Sequence, residues 1–195
     1  MPQREIVKRN RCLRCHLQPR HCLCGEVQVV SPQVRVLLFR HWKEAWRSTN
    51  SARIAELAVD NAELHDFGAV EIPPIPQHLI DDAQPAWLLF PSDADHPAPP
   101  KGAPLPRTLI VVDGSWRQAR RMVRRIPGLI DLPRYSPSPR PIPPDRIRKP
   151  PFDGGMATLE ALGRALTELE GEAVGQPLED LFALFIARIR EQRGY

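Results

Sequence analysis

The feature that most constrains this chain is Thr108-Leu109-Ile110-Val111-Val112-Asp113-Gly114-Ser115-Trp116-Arg117-Gln118. A short apolar, β-branched run reads as a buried strand. Asp-Gly cannot extend that strand and readily forms a tight turn. Ser115 with Gln118 three residues on has the pattern of a capping box, so a helix opens there. Asp113 is thereby placed at the C-terminal edge of a strand, where ligands bind in open α/β sheets. Many α/β proteins contain a strand–turn–helix unit of this kind, so its chemistry has to be read with the rest of the chain.

Two further apolar runs predict buried strands, Val34 to Phe39 and Ala86 to Phe90, the latter stopped by Pro91. After the first, Arg40 to Ser51 leads into an amphipathic run, and a helix is expected over Ala52 to Leu64 with its N-cap among Thr49, Asn50 and Ser51. His41 and Glu44 in that lead-in are expected to form an exposed loop salt bridge. Residues 70–85 are Pro-rich and read as irregular. Residues 92–107 hold five prolines and read as an exposed loop. Paired glycines at Gly154 and Gly155 permit close backbone approach to a ligand. Thr158 is expected to cap a helix running to about Glu170, and Pro177 to open a last helix from Leu178 to about Gln192. Strands alternating with helices in 195 residues, 42% of them hydrophobic, predict one α/β domain with a mostly parallel sheet flanked by helices.

All four cysteines lie in one segment, Cys12, Cys15, Cys22 and Cys24, spaced CxxC and then CxC. Four thiolates so placed can wrap one tetrahedral Zn2+ without long loops. The site would be structural, because protein fills every coordination position. Free thiols and disulfides are the alternatives, and a reducing compartment disfavours disulfides. His16 and His21 can replace a cysteine as ligand, but they read better as solvent-facing neighbours. The expected organisation is a zinc-binding segment over 1–28 and an α/β domain over 29–195. No apolar run reaches the roughly 18 residues that cross a bilayer, and the basic N-terminus lacks the apolar stretch of a secretory signal. A cytoplasmic location without membrane association is expected.

Net charge is only +4, yet it is unevenly placed. Residues 1–24 carry six basic side chains against one acidic, and residues 113–149 carry ten against three. On the helix after Gly114, Trp116, Ala119, Met122, Val123 and Ile126 form an apolar face. Arg117, Arg120, Arg121, Arg124 and Arg125 form the other. No acid on that helix offsets their mutual repulsion, which suggests that phosphates supply the counter-charge. Arg134, Arg140, Arg146, Arg148 and Lys149 extend the basic stretch. The alternatives are a plain solvated helix face and an arginine bias from GC-rich coding, since 23 of the 27 basic residues are Arg.

Taken together these motifs resemble the DTW-domain family, the tRNA-uridine aminocarboxypropyltransferases. The resemblance rests on the cysteine cluster, on His41…Glu44…Ser48-Thr49-Asn50, on Asp113-Gly114-Ser115-Trp116…Ala119-Arg120, and on Gly155…Thr158-Leu159-Glu160. One departure is Ser115, where the family has Thr; both hydroxyls can cap a helix. The resemblance implies a knotted, SPOUT-like fold with a small N-terminal four-cysteine zinc knuckle. It also implies transfer of the 3-amino-3-carboxypropyl group of S-adenosyl-L-methionine to N3 of a uridine in tRNA, releasing methylthioadenosine. In this frame Asp113 accepts the N3 proton or, with equal standing, grips the donor's ammonium or holds the turn. Thr49, Asn50 and Ser51 hold the amino-acid end. Phe90, Pro91, Trp116 and the Met156 to Thr158 backbone form the adenosine pocket, beside Asp113, Gly114 and Ser115. For Trp116 the plain alternative is a core aromatic. Arg117, Arg120, Arg121, Arg124, Arg125, Arg146 and Arg148 hold tRNA. No protein partner is predicted. The competing readings are a SPOUT-type RNA methyltransferase and a non-catalytic zinc-containing RNA-binding protein.

Overall fold

A computed structural model describes residues 10–100, 102–138 and 155–194. Its centre is a five-stranded sheet of β1 (Arg35–His41), β2 (Ala62–Phe67), β3 (Ala86–Leu89), β4 (Thr108–Asp113) and β5 (Arg134–Tyr135). The spatial order is β2-β1-β4-β3-β5, and every pairing is parallel. The helices are α1 (Ser51–Ala58), α2 (Gln77–Asp81), α3 (Trp116–Arg125), α4 (Thr158–Glu170) and α5 (Glu172–Arg193). Short 3-10 turns cover Pro19–His21 and Trp42–Glu44.

The central strands are apolar throughout because both of their faces are covered. Val36, Leu38, Leu109 and Val111 point to one side, where Ala55 of α1, Leu162 of α4 and Phe185 of α5 complete a core. Leu37, Phe39, Ile110 and Val112 point to the other, against Ile80 of α2 and Met122 and Val123 of α3. This alternation of successive side chains is the pleat itself. The cysteine segment belongs to the first core, since Leu17 and Leu23 are fully buried in it. Its backbone is also tied to α5, with the Gln18 N–H donating to Gln192 Oε1 at 2.9 Å. Among the described residues no helix is long and apolar enough to cross a membrane.

Several boundaries differ from expectation, each for a physical reason. The helix expected over Ala52 to Leu64 ends at Ala58, and its last three residues, 62–64, open strand β2. The break is Val59-Asp60-Asn61. Asp60 accepts from Ser31 Oγ at 2.5 Å, and Asn61 Nδ2 donates to the Pro32 carbonyl at 2.8 Å. Those contacts lie outside any sequence window, and Leu57, Ala58 and Leu64 happen to fit helical spacing. Strand β5 is only two residues long, held by Leu88 and Leu89 of β3. The segment read as irregular contains the short helix α2. The last helix begins at Glu172 rather than after Pro177, which lies inside it. Proline there forgoes one amide hydrogen bond.

Helices α4 and α5 pack as a hairpin turned at Gly171, whose φ is +99°. They approach so closely that a Cβ on Gly175 would lie 2.1 Å from Thr167 Oγ1 and 2.4 Å from the Gly163 carbonyl oxygen. Overpacking of a close contact typically costs about 1–3 kcal/mol. Gly175→Ala is therefore expected to lower stability by at least about 2 kcal/mol in urea unfolding, and an unchanged midpoint would refute this packing.

Candidate active site

Strands β1 and β4 are neighbours whose chains leave in opposite directions. From β1 the chain passes to β2 on one side, and from β4 it passes beyond β3 to β5 on the other. The carboxyl edge between two such strands is where an open parallel sheet forms its ligand crevice. Asp113 ends β4 at that edge, in register with Arg40 of β1.

The Asp113 side chain is 6% exposed and joins three segments of chain. One oxygen accepts from Asn50 Nδ2 at 2.5 Å, and the other accepts from Thr158 Oγ1 at 2.5 Å. Asn50 is the N-cap of α1, its Oδ1 accepting from the Arg53 N–H at 3.1 Å. The same Oδ1 faces Arg40 Nη1 at 3.4 Å, while Arg40 otherwise forks onto Asp66 at 2.7 and 3.0 Å. Ser51 Oγ accepts from the Leu159 N–H at 3.3 Å. Thr158, expected as the cap of α4, is instead that helix's first residue. Ala157 is the cap, and its N–H is taken by Glu160 at 3.1 Å. The Thr158 hydroxyl is thereby turned to Asp113.

The capping box after Gly114 is present as expected. Ser115 Oγ accepts from the Gln118 N–H at 3.4 Å, and Gln118 Oε1 accepts from the Ser115 N–H at 2.6 Å. The expected exposed pairing of His41 with Glu44 is not what the loop forms. His41 Nδ1 accepts from the Lys43 N–H at 3.2 Å and faces Gln118 Nε2 at 3.3 Å. Burial, Lys43 and Arg121 hold its imidazole below the usual histidine range. Glu44 turns inward, is 4% exposed, and pairs with Arg47 at 3.3 Å. The loop between them is pinned from α1 by Arg53, which donates to the carbonyls of Ala45 and Arg47. Burial, then the charge of Arg40, pulls the Arg53 guanidinium down to about 10.

Two cavities open at this edge. The larger, about 520 Å³, is walled by Thr49, Asn50 and Ser51, by Asp113 to Trp116, by Gly155 to Thr158, and by Phe182, Phe185, Ile186 and Ile189 of α5. Glu44, Glu160, Arg117 and Arg120 also line it. The smaller, about 310 Å³, lies toward β3 and β5 and is walled by Leu89 to Pro91 and Tyr135 to Pro137. Gly114, Trp116, Met156 and Thr158 line both. Trp116 is thus a partition rather than a core aromatic. It is half-buried, its ring centroid 5.8 Å from that of Phe90. Both volumes suit small-molecule ligands. At the rim of the smaller one, Tyr135 donates to Glu168 at 2.7 Å, and burial with that carboxylate pushes the phenol up.

The cavities therefore gather every residue expected at the pocket: Thr49, Asn50, Ser51, Phe90, Pro91, Asp113, Gly114, Ser115, Trp116, Met156 and Thr158. Sequence reasoning misses Tyr135 to Pro137, which follow a strand too short to show a pattern. It also misses the wall from α5, where Phe182, Phe185, Ile186 and Ile189 have the helical spacing that it assigns to core. Arg117, Arg120, Arg121, Arg124 and Arg125 are all exposed on α3. Arg140, Arg146, Arg148, Lys149 and Gly154 lie outside the described residues.

The four cysteine sulfurs lie within 4.8 Å of one another, with Cys12–Cys24 and Cys15–Cys22 both at 3.7 Å. Sulfurs at the corners of a tetrahedron with arms of about 2.3 Å stand roughly 3.8 Å apart, so the set fits Zn2+. His16 is not solvent-facing as expected. It is 5% exposed, and burial with the charges of Arg53, Arg40 and Arg11 holds it down to about 4. His21 is only half-buried and meets Glu191 at 3.3 Å.

A DTW-domain model matches residues 9–190, nearly the whole chain. The chain belongs to the DTW-domain family. A relative in Drosophila melanogaster, tRNA-uridine aminocarboxypropyltransferase 2, is 28% identical over 178 aligned residues, covering 84% of this chain and 68% of the relative. No solved structure matches. In this DTW domain the signature Asp113-Gly114-Ser115-Trp116 forms the corner from which both cavities open.

Removing a donor from a buried acceptor costs about 1–3 kcal/mol, and losing an N-cap costs about 1. Asn50→Ala does both, so a stability loss of roughly 2 kcal/mol or more is expected in urea unfolding. A loss of under about 0.5 kcal/mol, the size of an ordinary surface substitution, would show that the Asn50–Asp113 contact is dispensable.

Proposed function

We propose that this protein transfers the 3-amino-3-carboxypropyl group of S-adenosyl-L-methionine to N3 of a uridine in tRNA, releasing methylthioadenosine. The observation that carries the reading is the carboxylate corner at Asp113, which opens into two adjoining cavities beside an arginine face with no acid on its helix. Membership of the DTW family and the named activity of the fly relative support it.

The donor is read as lying across the partition. Its adenosine fits the smaller cavity, between Phe90, Pro91, Trp116 and Met156. Its amino-acid end fits the larger, at Thr49, Asn50 and Ser51, with Gly114 and Ser115 allowing close backbone approach. Uridine then enters the remainder of the larger cavity. The sulfonium activates three carbons, so the protein's task is to aim one of them at the nucleophile, and positioning of this kind supplies a large share of rate. Between the two roles weighed for Asp113, the geometry supports the holding one. Both carboxylate oxygens accept short hydrogen bonds from the frame, which fixes the corner and leaves a negative wall for the donor's ammonium.

We read Cys12, Cys15, Cys22 and Cys24 as a structural Zn2+ site, whose ion would supply the crosslink that orders the segment over 1–28 ahead of the catalytic domain over 29–195. The parallel sheet with helices on both faces is compatible with the SPOUT-like knotted path that the family resemblance implies. A cytoplasmic setting is compatible with a tRNA substrate. Arg117, Arg120, Arg121, Arg124 and Arg125, with Arg146 and Arg148, are read as the phosphate-binding face.

Incubation of the purified protein with tRNA and S-adenosyl-L-methionine, followed by mass spectrometry of the nucleosides, is expected to show aminocarboxypropyluridine and methylthioadenosine. S-adenosylhomocysteine with a methylated nucleoside would establish a methyltransferase instead. Donor-independent tRNA binding with no product would establish a binding protein. For the arginine face, each lost phosphate contact lowers the salt slope by about 0.9. Arg121→Ala combined with Arg124→Ala is expected to flatten the slope for tRNA binding by roughly 1–2, with donor affinity unchanged. An unaltered slope would remove α3 from the interface.

A further inference from the structure

The larger cavity is walled by charges of both signs, and burial separates them. Asp113, Glu44 and Glu160 line it and are buried, whereas Arg117 and Arg120 line it and are exposed. Among the described residues these two are the basic side chains on its wall. They lie three residues apart near the start of α3, so they share one helix face. Helical side chains lean toward the N-terminus of their own helix, which here is the Asp113-Gly114-Ser115 corner. Arg121, Arg124 and Arg125 stand on the same helix without lining the cavity. Neither Arg117 nor Arg120 has a hydrogen bond or ion pair among the described residues. Like charges at this spacing repel each other, and one anion bound between them would relieve both.

The donor's amino-acid end carries an ammonium and a carboxylate on one carbon, so the two charges cannot be placed far apart. A negative wall at Asp113 suits the ammonium and repels the carboxylate. We propose that Arg117 and Arg120 bind the donor's carboxylate, an inference that rests on the reading of the protein as an S-adenosyl-L-methionine-dependent aminocarboxypropyltransferase. Guanidinium groups present paired N–H donors that match a carboxylate. With the ammonium at Asp113 and the carboxylate at the arginines, the amino-acid carbon is held at two points. The adenosine is held on the other side of Trp116, so the Cγ–S bond lies between two fixed ends, which aims Cγ at the incoming nucleophile. The arginine face is thereby divided. Arg121, Arg124 and Arg125 serve tRNA phosphates alone, while Arg117 and Arg120 close on the donor.

Decarboxylated S-adenosylmethionine lacks only the group in question and is the deciding probe. Arg117→Ala combined with Arg120→Ala is expected to weaken S-adenosyl-L-methionine by at least about fivefold in calorimetry, the size of a charge-assisted contact at the edge of solvent. The same variant is expected to bind the decarboxylated donor within about twofold of wild type, because the contact removed needs both partners. Methylthioadenosine, which lacks the amino-acid end altogether, is expected to be equally indifferent. Both substituted positions are exposed, so the unfolding midpoint is expected to stay. A smaller loss for S-adenosyl-L-methionine, or an equal loss for either probe, would overturn the assignment. Unchanged donor affinity with a lowered salt slope for tRNA binding would make the ligand a tRNA phosphate, and would overturn it as well. A wild-type protein that binds neither S-adenosyl-L-methionine nor methylthioadenosine would instead overturn the reading of the activity, and the assignment with it.

Discussion

The architecture of the site depends on one buried carboxylate receiving two hydrogen bonds. Asp113 comes from the sheet, Asn50 from the loop after β1, and Thr158 from the start of α4. These three segments belong to different elements and meet at that edge through side chains. A buried charge is tolerable only when its hydrogen-bonding capacity is met, so the three must be assembled together. The cavities are the space left around this junction. Arg40 extends the arrangement one strand further, through Asn50 on one side and Asp66 on the other.

The same junction explains how charge is divided. Arg40, Arg53 and Arg164 are buried, and each donates to a carboxylate or carbonyl of the frame, Arg164 also to the Met156 sulfur. The arginines of α3 are exposed, on a helix whose opposite face packs through Ala119, Met122 and Val123. One residue type thus serves two purposes, and burial separates them. The exposed set lies beside the entrance, since Arg117 and Arg120 reach the larger cavity itself.

What is legible in the sequence is whatever is set locally or by burial on both faces. Strands β1, β3 and β4 are readable because parallel central strands are continuously apolar. The Ser115–Gln118 box is readable because capping is decided within four residues. Asn50 falls within the expected cap for the same reason. Strands β2 and β5 are edge strands, and their identity comes from pairing with β1 and β3, which no local window contains. Thr158 reads as a cap because hydroxyls favour caps, yet Asp113, 45 residues away in sequence, claims that hydroxyl. His16 reads as solvent-facing, but it is buried, in a segment whose Leu17 and Leu23 enter the core. Glu44 reads as a loop charge, yet it is buried, in a loop that Arg53 anchors through the Ala45 carbonyl.

Trp116 stands between the two chambers and borders both. A shared wall couples their shapes: enlarging one by trimming the indole necessarily enlarges the other. Whatever the two chambers hold cannot be retailored independently at that position. New specificity on either side has to be sought at residues belonging to one chamber alone, such as Phe182 or Tyr135.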